Sequence, residues 1–226
     1  ETKLGTTIGY NGVPMVATIE HLMAAIWACG VDNLTIVVSG GEIPIMDGSA
    51  FCFIDKMMKV GVVNILDSRR KFLKIKREIA IEDEDGSMKI GPADSFSVDM
   101  SVSFDYGRIG KQHYYFSGSR RKFIEEISRA RTFCSYSDVE YMQKNGLAKG
   151  GSLDNAMVFD ENGLMNSDGF RYTDEVVKHK ILDCVGDMLT SGYSIEGAIV
   201  ANKSGHRTNN RLLRKIFSDS DNYFIE

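Results

Sequence analysis

The stretch Tyr172 to Leu189 constrains this chain more than any other. It reads as one long helix whose body is supplied by Ile181, Leu182, Val185, Met188 and Leu189, so it belongs in the interior. On that apolar helix His179, Asp183 and Asp187 follow one another at four-residue intervals, a spacing that stacks side chains on one face. Such a polar stripe is unfavourable in an interior unless its groups pair with partners or hold a metal ion. For the His179/Asp183 pair on its own both readings stand. Asp187 lies about 12 Å along the helix from His179 at about 1.5 Å per residue, too far to share one ion with it easily, and suits a role in orienting another histidine. Any fold of this chain must bring partners to the stripe.

Thr18 to Cys29 reads as a second buried helix, with Thr18 as N-cap and Gly30 as the stop. Inside it Glu20 and His21 are adjacent. Neighbouring helical residues point about 100° apart, so one can face an ion while the other faces a substrate; a structural hydrogen-bonded pair is the alternative. A third feature is Lys203-Ser204-Gly205-His206, a turn between a predicted strand (Ile195 to Ala201) and a predicted helix (His206 to Ile216). It presents a side chain at the end of a scaffold element, or simply caps the helix. Taken together, His21, His179 and Asp183 form an N,N,O set of the kind that Zn2+ accepts with one position left open. Glu20 can take a proton from water, and His206 can act as a cation or acid with Asp187 holding its ring. That is a minimal kit for metal-assisted amide hydrolysis. The remaining histidine, His113, sits in a predicted strand beside two tyrosines and reads as structural or surface.

Elsewhere Leu34 to Val38 is a β-branched run and reads as a strand, and Ser49 to Val60 as an amphipathic helix capped by Ser49 and ended by Gly61. After about Asp67 apolar and polar residues alternate. Leu73, Ile75, Ile79 and Ile81 lead into the turn Glu84-Asp85-Gly86, and Met88 and Ile90 leave it, a hairpin pattern. Phe96 to Phe104 and His113 to Phe116 continue as strands. Arg120 to Ile127 reads as a short helix, and Ser137 with Glu140 as a capping box for a helix ending at Gly146. Strands and helices do not alternate strictly, which favours an α+β layering over a doubly wound parallel sheet. A boundary near residues 67–70 gives two unequal domains, 1–68 and 69–226. A net charge of −4 offers no general attraction to phosphate backbones, so nucleic acid is not an expected partner. No run of 18 apolar residues exists to span a membrane. Cys29, Cys52, Cys134 and Cys184 form no C-x-x-C pair and read as isolated reduced thiols of a cytoplasmic protein. No signal peptide is visible, and a chain beginning at Glu1 rather than Met is expected to be a fragment of a longer protein.

Six stretches then become recognisable. They are T-I-E-H-L-M-A-A (18–25), E-I-P-I-M-D-G-S-A (42–50), S-R-A-R-T-F (128–133), G-G-S-L-D-N-A (150–156), H-K-I-L-D-C-V-G-D (179–187) and K-S-G-H-R-T-N-N (203–210). In order and over nearly the whole chain, they resemble the UDP-3-O-acyl-N-acetylglucosamine deacetylase family, which performs the committed step of lipid A synthesis. The resemblance implies two α+β domains, each a sheet layered with helices, packed helix face to helix face around the active site. It implies one Zn2+ held by His21, His179 and Asp183, a zinc-bound water as nucleophile and Glu20 as general base. His206 would be protonated and oriented by Asp187, and Thr132 would help hold the oxyanion. Lys180 and Lys203 would meet the polar sugar and phosphate groups of an acylated UDP-sugar. Residues from about Ser135 to Asn166 would form an inserted subdomain with an apolar passage for the acyl chain, Phe133 lying at its mouth. Tyr136, Tyr141, Met142 and Leu147 would add apolar side chains there. The implied protein is a cytoplasmic monomer. Two departures stand out: family members begin earlier, with strands that open the first domain, which puts the activity of this chain in doubt; and many carry a cysteine near Gly5-Thr6-Thr7, where this chain has none. The rival readings are a metal amidohydrolase for a different substrate and a non-catalytic binding module of the same fold.

Overall fold

The computed structural model describes every residue except Lys3, Asp67, Asp85 and Leu147, and the side chain of Asp83. Asp85 of the expected hairpin turn, Asp67 at the expected boundary and Leu147 of the expected acyl passage therefore lie outside the described residues. In chain order a short hairpin, β1 (Ile8–Tyr10) and β2 (Val13–Val16), precedes α1 (Glu20–Cys29) and α2 (Phe51–Val60). Then come β3 (Phe72–Ile75), β4 (Ile79–Asp83), β5 (Gly86–Gly91), β6 (Ser97–Phe104) and β7 (Gly110–Phe116). A single turn, α3 (Arg120–Lys122), runs directly into a π-helical turn, Phe123–Ile127. β8 (Phe133–Ser135), α4 (Tyr136–Lys144), β9 (Met157–Asp160) and β10 (Gly163–Leu164) follow. The chain finishes with α5 (Glu175–Leu189), β11 (Ser194–Glu196), β12 (Ala198–Asn202), α6 (His206–Phe217) and β13 (Tyr223–Ile225).

The fold is α+β. Its largest sheet has the order β4-β5-β12-β6-β7, with β12 parallel to β6 and every other pair antiparallel. Period-two alternation buries Met88, Ile90, Val98, Met100, Val102, Ile199 and Ala201 on one face. α5 and α6 cover the sheet, α1 lies on α5, and α2 packs on α1. The apolar core runs through all these layers, from Trp27 and Ile54 to Val98, Ile181 and Ile216. Two small sheets, β11-β3-β13 and β10-β9-β8, flank this stack.

Several local expectations are corrected. Leu34 to Val38 forms no strand: nothing described pairs with it, and Val37 stands 91% exposed. β propensity does not make a strand without a partner edge. Thr18 does not cap α1. Its φ is +58° and its hydroxyl donates to Glu42 Oε1, while the cap position falls on Ile19. α2 starts at Phe51 after Ala50, although Ser49 Oγ still accepts from the Phe51 N–H. Leu73 and Ile75 belong to β3 in a separate sheet, and the hairpin is β4 with β5 alone. The capping box is Ser135 with Asp138, two residues before the expected pair, and α4 ends at Lys144. α5 starts at Glu175 rather than Tyr172. Gly197 divides the expected strand Ile195 to Ala201 into β11 and β12.

Candidate active site

α1 and α5 meet at Gly186. A Cβ there would lie 2.1 Å from the Glu20 carbonyl oxygen and 3.2 Å from the Ala24 nitrogen. Only glycine lets two helix backbones touch so closely. The contact turns the start of α1, with Glu20 and His21, onto the stripe of α5 that carries His179, Asp183 and Asp187. All five are at most 3% exposed.

His21, His179 and Asp183 converge, and one ligand atom from each lies within 4.8 Å of the others. Asp183 Oδ1 is 3.7 Å from His21 Nε2 and 3.3 Å from His179 Nε2. Ligands about 2.1 Å from a tetrahedral ion are about 3.4 Å apart, so these spacings suit a shared cation better than direct hydrogen bonds. His179 Nδ1 lies 3.0 Å from the Ala130 carbonyl oxygen. That oxygen can only accept, so Nδ1 carries the proton and the Nε2 lone pair faces inward. Lys180 Nζ donates to Asp183 Oδ2 at 2.7 Å, whereas Asp183 Oδ1 is buried without a hydrogen-bond partner, as is His21 Nδ1. A buried carboxylate oxygen left unpaired is costly, and it points to a cation. Burial, with His179 beside it, pulls the His21 pKa down to about 3. Burial likewise lowers that of His179. Both rings are thus neutral and able to ligate. Burial alone would raise the pKa of Asp183, but His179, Lys180 and His206 outweigh it and hold the carboxyl well below the usual range. Together these three residues could hold a metal ion.

Glu20 and His206 flank this trio. His206, at the start of α6, sets Nε2 3.8 Å from both Glu20 Oε1 and Asp183 Oδ2. Its Nδ1 donates to Asp187 Oδ2 at 2.8 Å. Burial lowers the pKa of His206, yet Asp187 and Asp183 outweigh it and push it up to about 9. Burial raises that of Glu20 to about 7, opposed by His206 and reinforced by Asp183 and Asp187. The pair therefore holds a poised carboxyl beside an imidazolium, suited to moving one proton in each direction.

Thr6 ties these groups together. Its N–H donates to Glu20 Oε2 at 2.9 Å and its hydroxyl to Asp187 Oδ1 at 2.6 Å. Asn209 Nδ2 also donates to Asp187 Oδ2, at 2.8 Å. Gly5 allows the approach, because a Cβ there would lie 2.7 Å from Glu20 Oε1. No role for Thr6 or Asn209 is legible in the sequence, because they reach Asp187 across 181 and 22 residues.

The segment after the π-helical turn meets the site through Ala130 and Phe133, both against His179. The Ser128 N–H closes that turn on the Phe123 carbonyl, and the chain then carries Ala130 to His179. The Thr132 backbone is fixed at both ends, donating to the Gly48 carbonyl and accepting from the Met157 N–H, each at 2.8 Å. The Phe133 ring stands edge-on to His179, with centroids 6.1 Å apart. Arg131 and Glu175 form a buried ion pair at 2.9 Å that sequence reasoning missed. The signal was present, since Glu175 extends the four-residue stripe of His179, Asp183 and Asp187 by one step. Lys180, expected at the substrate's polar groups, is engaged with Asp183. Lys203 is exposed on the turn before α6, with φ +53° and its N–H on the Ser101 carbonyl. His113 on β7 pairs with Asp99 on β6, both side chains being exposed. No helix among the described residues is long and apolar enough to cross a membrane.

The family model for UDP-3-O-acyl N-acetylglycosamine deacetylase matches residues 1–218. A UDP-3-O-acyl-N-acetylglucosamine deacetylase from a Nitratiruptor species is 43% identical over 225 residues, covering 100% of this chain and 75% of the relative. Namesakes from Nautilia profundicola and Pseudoalteromonas translucida are 46% and 44% identical, covering 96% of this chain in each case and 73% and 72% of the relatives.

Proposed function

The chain belongs to the UDP-3-O-acyl N-acetylglycosamine deacetylase family, and from that premise we propose that it hydrolyses the acetamide of UDP-3-O-(3-hydroxyacyl)-N-acetylglucosamine in lipid A synthesis. The observation that carries this reading is the convergence of the His21/His179/Asp183 trio with Glu20 on one flank and an Asp187-bound His206 beside it. The donor set suits one Zn2+, which when bound supplies the Lewis acidity that amide hydrolysis needs.

Glu20 removes the proton from the attacking water as the new C–O bond forms at the acetamide carbon. Its Oε2 is pinned by the Thr6 N–H, which leaves Oε1 for this work. Protonated His206 offers Nε2–H to the negative charge developing on the carbonyl oxygen, because Nδ1 is committed to Asp187. Thr132, whose backbone N–H and carbonyl are both engaged, has its side-chain hydroxyl to add to this stabilisation. The C–N bond then breaks, the amine takes a proton from the Glu20/His206 pair, and acetate is the second product. Phe133, edge-on to His179, is proposed as a contact for the acyl part of the substrate and Lys203, three residues before His206, for its polar part, while Lys180 acts through its bond to Asp183.

Acetate release from that substrate, measured with one equivalent of Zn2+, tests the reading. Release that stops on chelation and returns with Zn2+ is expected. A folded, zinc-loaded chain that releases no acetate would overturn it.

A further inference from the structure

The peptide unit joining Ala130 to Arg131 is held at both polar ends by one helix. Its carbonyl accepts from His179 Nδ1 at 3.0 Å, and its N–H donates to Glu175 Oε1 at 3.0 Å. Glu175 and His179 stand one turn apart on α5, about 6 Å along the axis and on one face. A trans peptide is a rigid plane whose N–H and C=O point in opposite directions. The plane cannot swing its carbonyl off His179 without breaking its bond to Glu175. We infer that Glu175 is a positioning residue for the metal centre: through the 130–131 peptide it fixes and polarises the carbonyl that holds His179 with Nε2 aimed at the ion.

The surroundings fit that role. Glu175 is fully buried and its carboxylate accepts four hydrogen bonds. Two come from the backbone N–H groups of Arg131 and Arg171, and two from the Arg131 guanidinium. Arg131, 1% exposed, also donates to Asp168 Oδ2 at 2.9 Å and to the Gly169 carbonyl at 2.6 Å. Apolar side chains of similar volume commonly fill an interior at least as stably as a buried ion pair, so stability alone is a weak reason for this one. A carboxylate on the peptide N–H makes the carbonyl at the other end a stronger acceptor. The histidine that donates to that carbonyl becomes a more basic ligand. This is the carboxylate–histidine–metal relay, lengthened by one peptide unit.

The inference rests on the metal-binding reading above, and the test separates the two. Zn2+ affinity is measured by chelator competition on the whole chain. Variants are Glu175→Gln, Arg131→Met combined with Glu175→Gln so that no buried charge is left alone, and Asp168→Asn, which touches only the guanidinium end of the network. The two Glu175 variants are expected to bind Zn2+ about 10- to 100-fold more weakly, and Asp168→Asn to bind as the unaltered chain does. An Ile199→Ala variant, destabilised in the sheet, serves as a control: its melting temperature falls and its Zn2+ affinity does not. A folded Glu175→Gln chain that binds Zn2+ as tightly as the unaltered one overturns the inference. Should neither Glu175 variant fold, the Arg131 amide proton of the unaltered chain is followed by NMR during Zn2+ titration. It is expected to move downfield, and a resonance that stays in place overturns the inference. An unaltered chain that takes up no Zn2+ defeats the metal reading and this inference with it.

Discussion

Gly186→Ala should reverse the usual sign of a glycine-to-alanine change inside a helix. At an unconstrained helical site alanine is favoured over glycine by about 1 kcal/mol. Here the added Cβ would sit 2.1 Å from the Glu20 carbonyl oxygen, about 0.9 Å inside the 3.0 Å that real Cβ atoms respect. The obstacle is the α1 backbone at Glu20 and Ala24, so no flexible side chain can yield and α1 must move away from α5. Overpacking of this kind costs about 1–3 kcal/mol, which leaves a net loss of up to about 2 kcal/mol. In a chain of this size each kcal/mol lowers the melting temperature by about 2–4 °C. The functional effect should be larger than the thermal one. The displacement carries Glu20 and His21 away from Asp183, and a misplacement of about 1 Å can cost about 100-fold in rate. Calorimetry gives the first quantity, and acetate release at fixed Zn2+ the second. A variant that melts higher than the parent and keeps its rate would refute the claim that this contact sets the site geometry.

Glu20→Ala should lower turnover by about 100- to 10,000-fold while Zn2+ binding by chelator competition persists; near-normal turnover would sink the assignment of Glu20 as base. His179→Ala should lose both turnover and stoichiometric Zn2+, and a variant that retains the ion would show that the trio is not the ligand set. The rate needs Glu20 ionised and His206 protonated, so it should rise with pH through about 7 or somewhat below, as the bound cation favours the carboxylate, and fall through about 9. A profile still climbing well above pH 9 would remove the protonated His206 from the scheme. Thr6→Val deletes the hydroxyl bond to Asp187 and keeps the N–H on Glu20, so its rate should fall about 10- to 100-fold, a hydrogen bond to a charged group being worth about 1.5–3 kcal/mol. Thr6→Ser should recover most of that loss, and equal rates for the Val and Ser forms would contradict the role of the hydroxyl.

Elements with local signals are legible in the chain itself. Periodicity placed α5 and showed that His179, Asp183 and Asp187 share one of its faces. A left-handed glycine at position 30 ended α1, and alternation marked β4 to β7. Side-chain types at particular helical spacings single out His21, His179 and Asp183, which the fold brings together as a group that could hold a metal ion, with Glu20 next to His21 in the chain. Which faces meet is a property of the folded chain. Nothing local says that Gly186 will receive the backbone of α1, that Thr6 will bond a residue 181 positions away, or that one peptide plane will bridge Glu175 and His179. Leu34 to Val38 makes the same point in reverse: its residues suit a strand, but a strand exists only where another edge supplies its hydrogen bonds. Helical period and side-chain type specify a surface, whereas the partner of that surface is chosen by close packing and by satisfying buried polar groups.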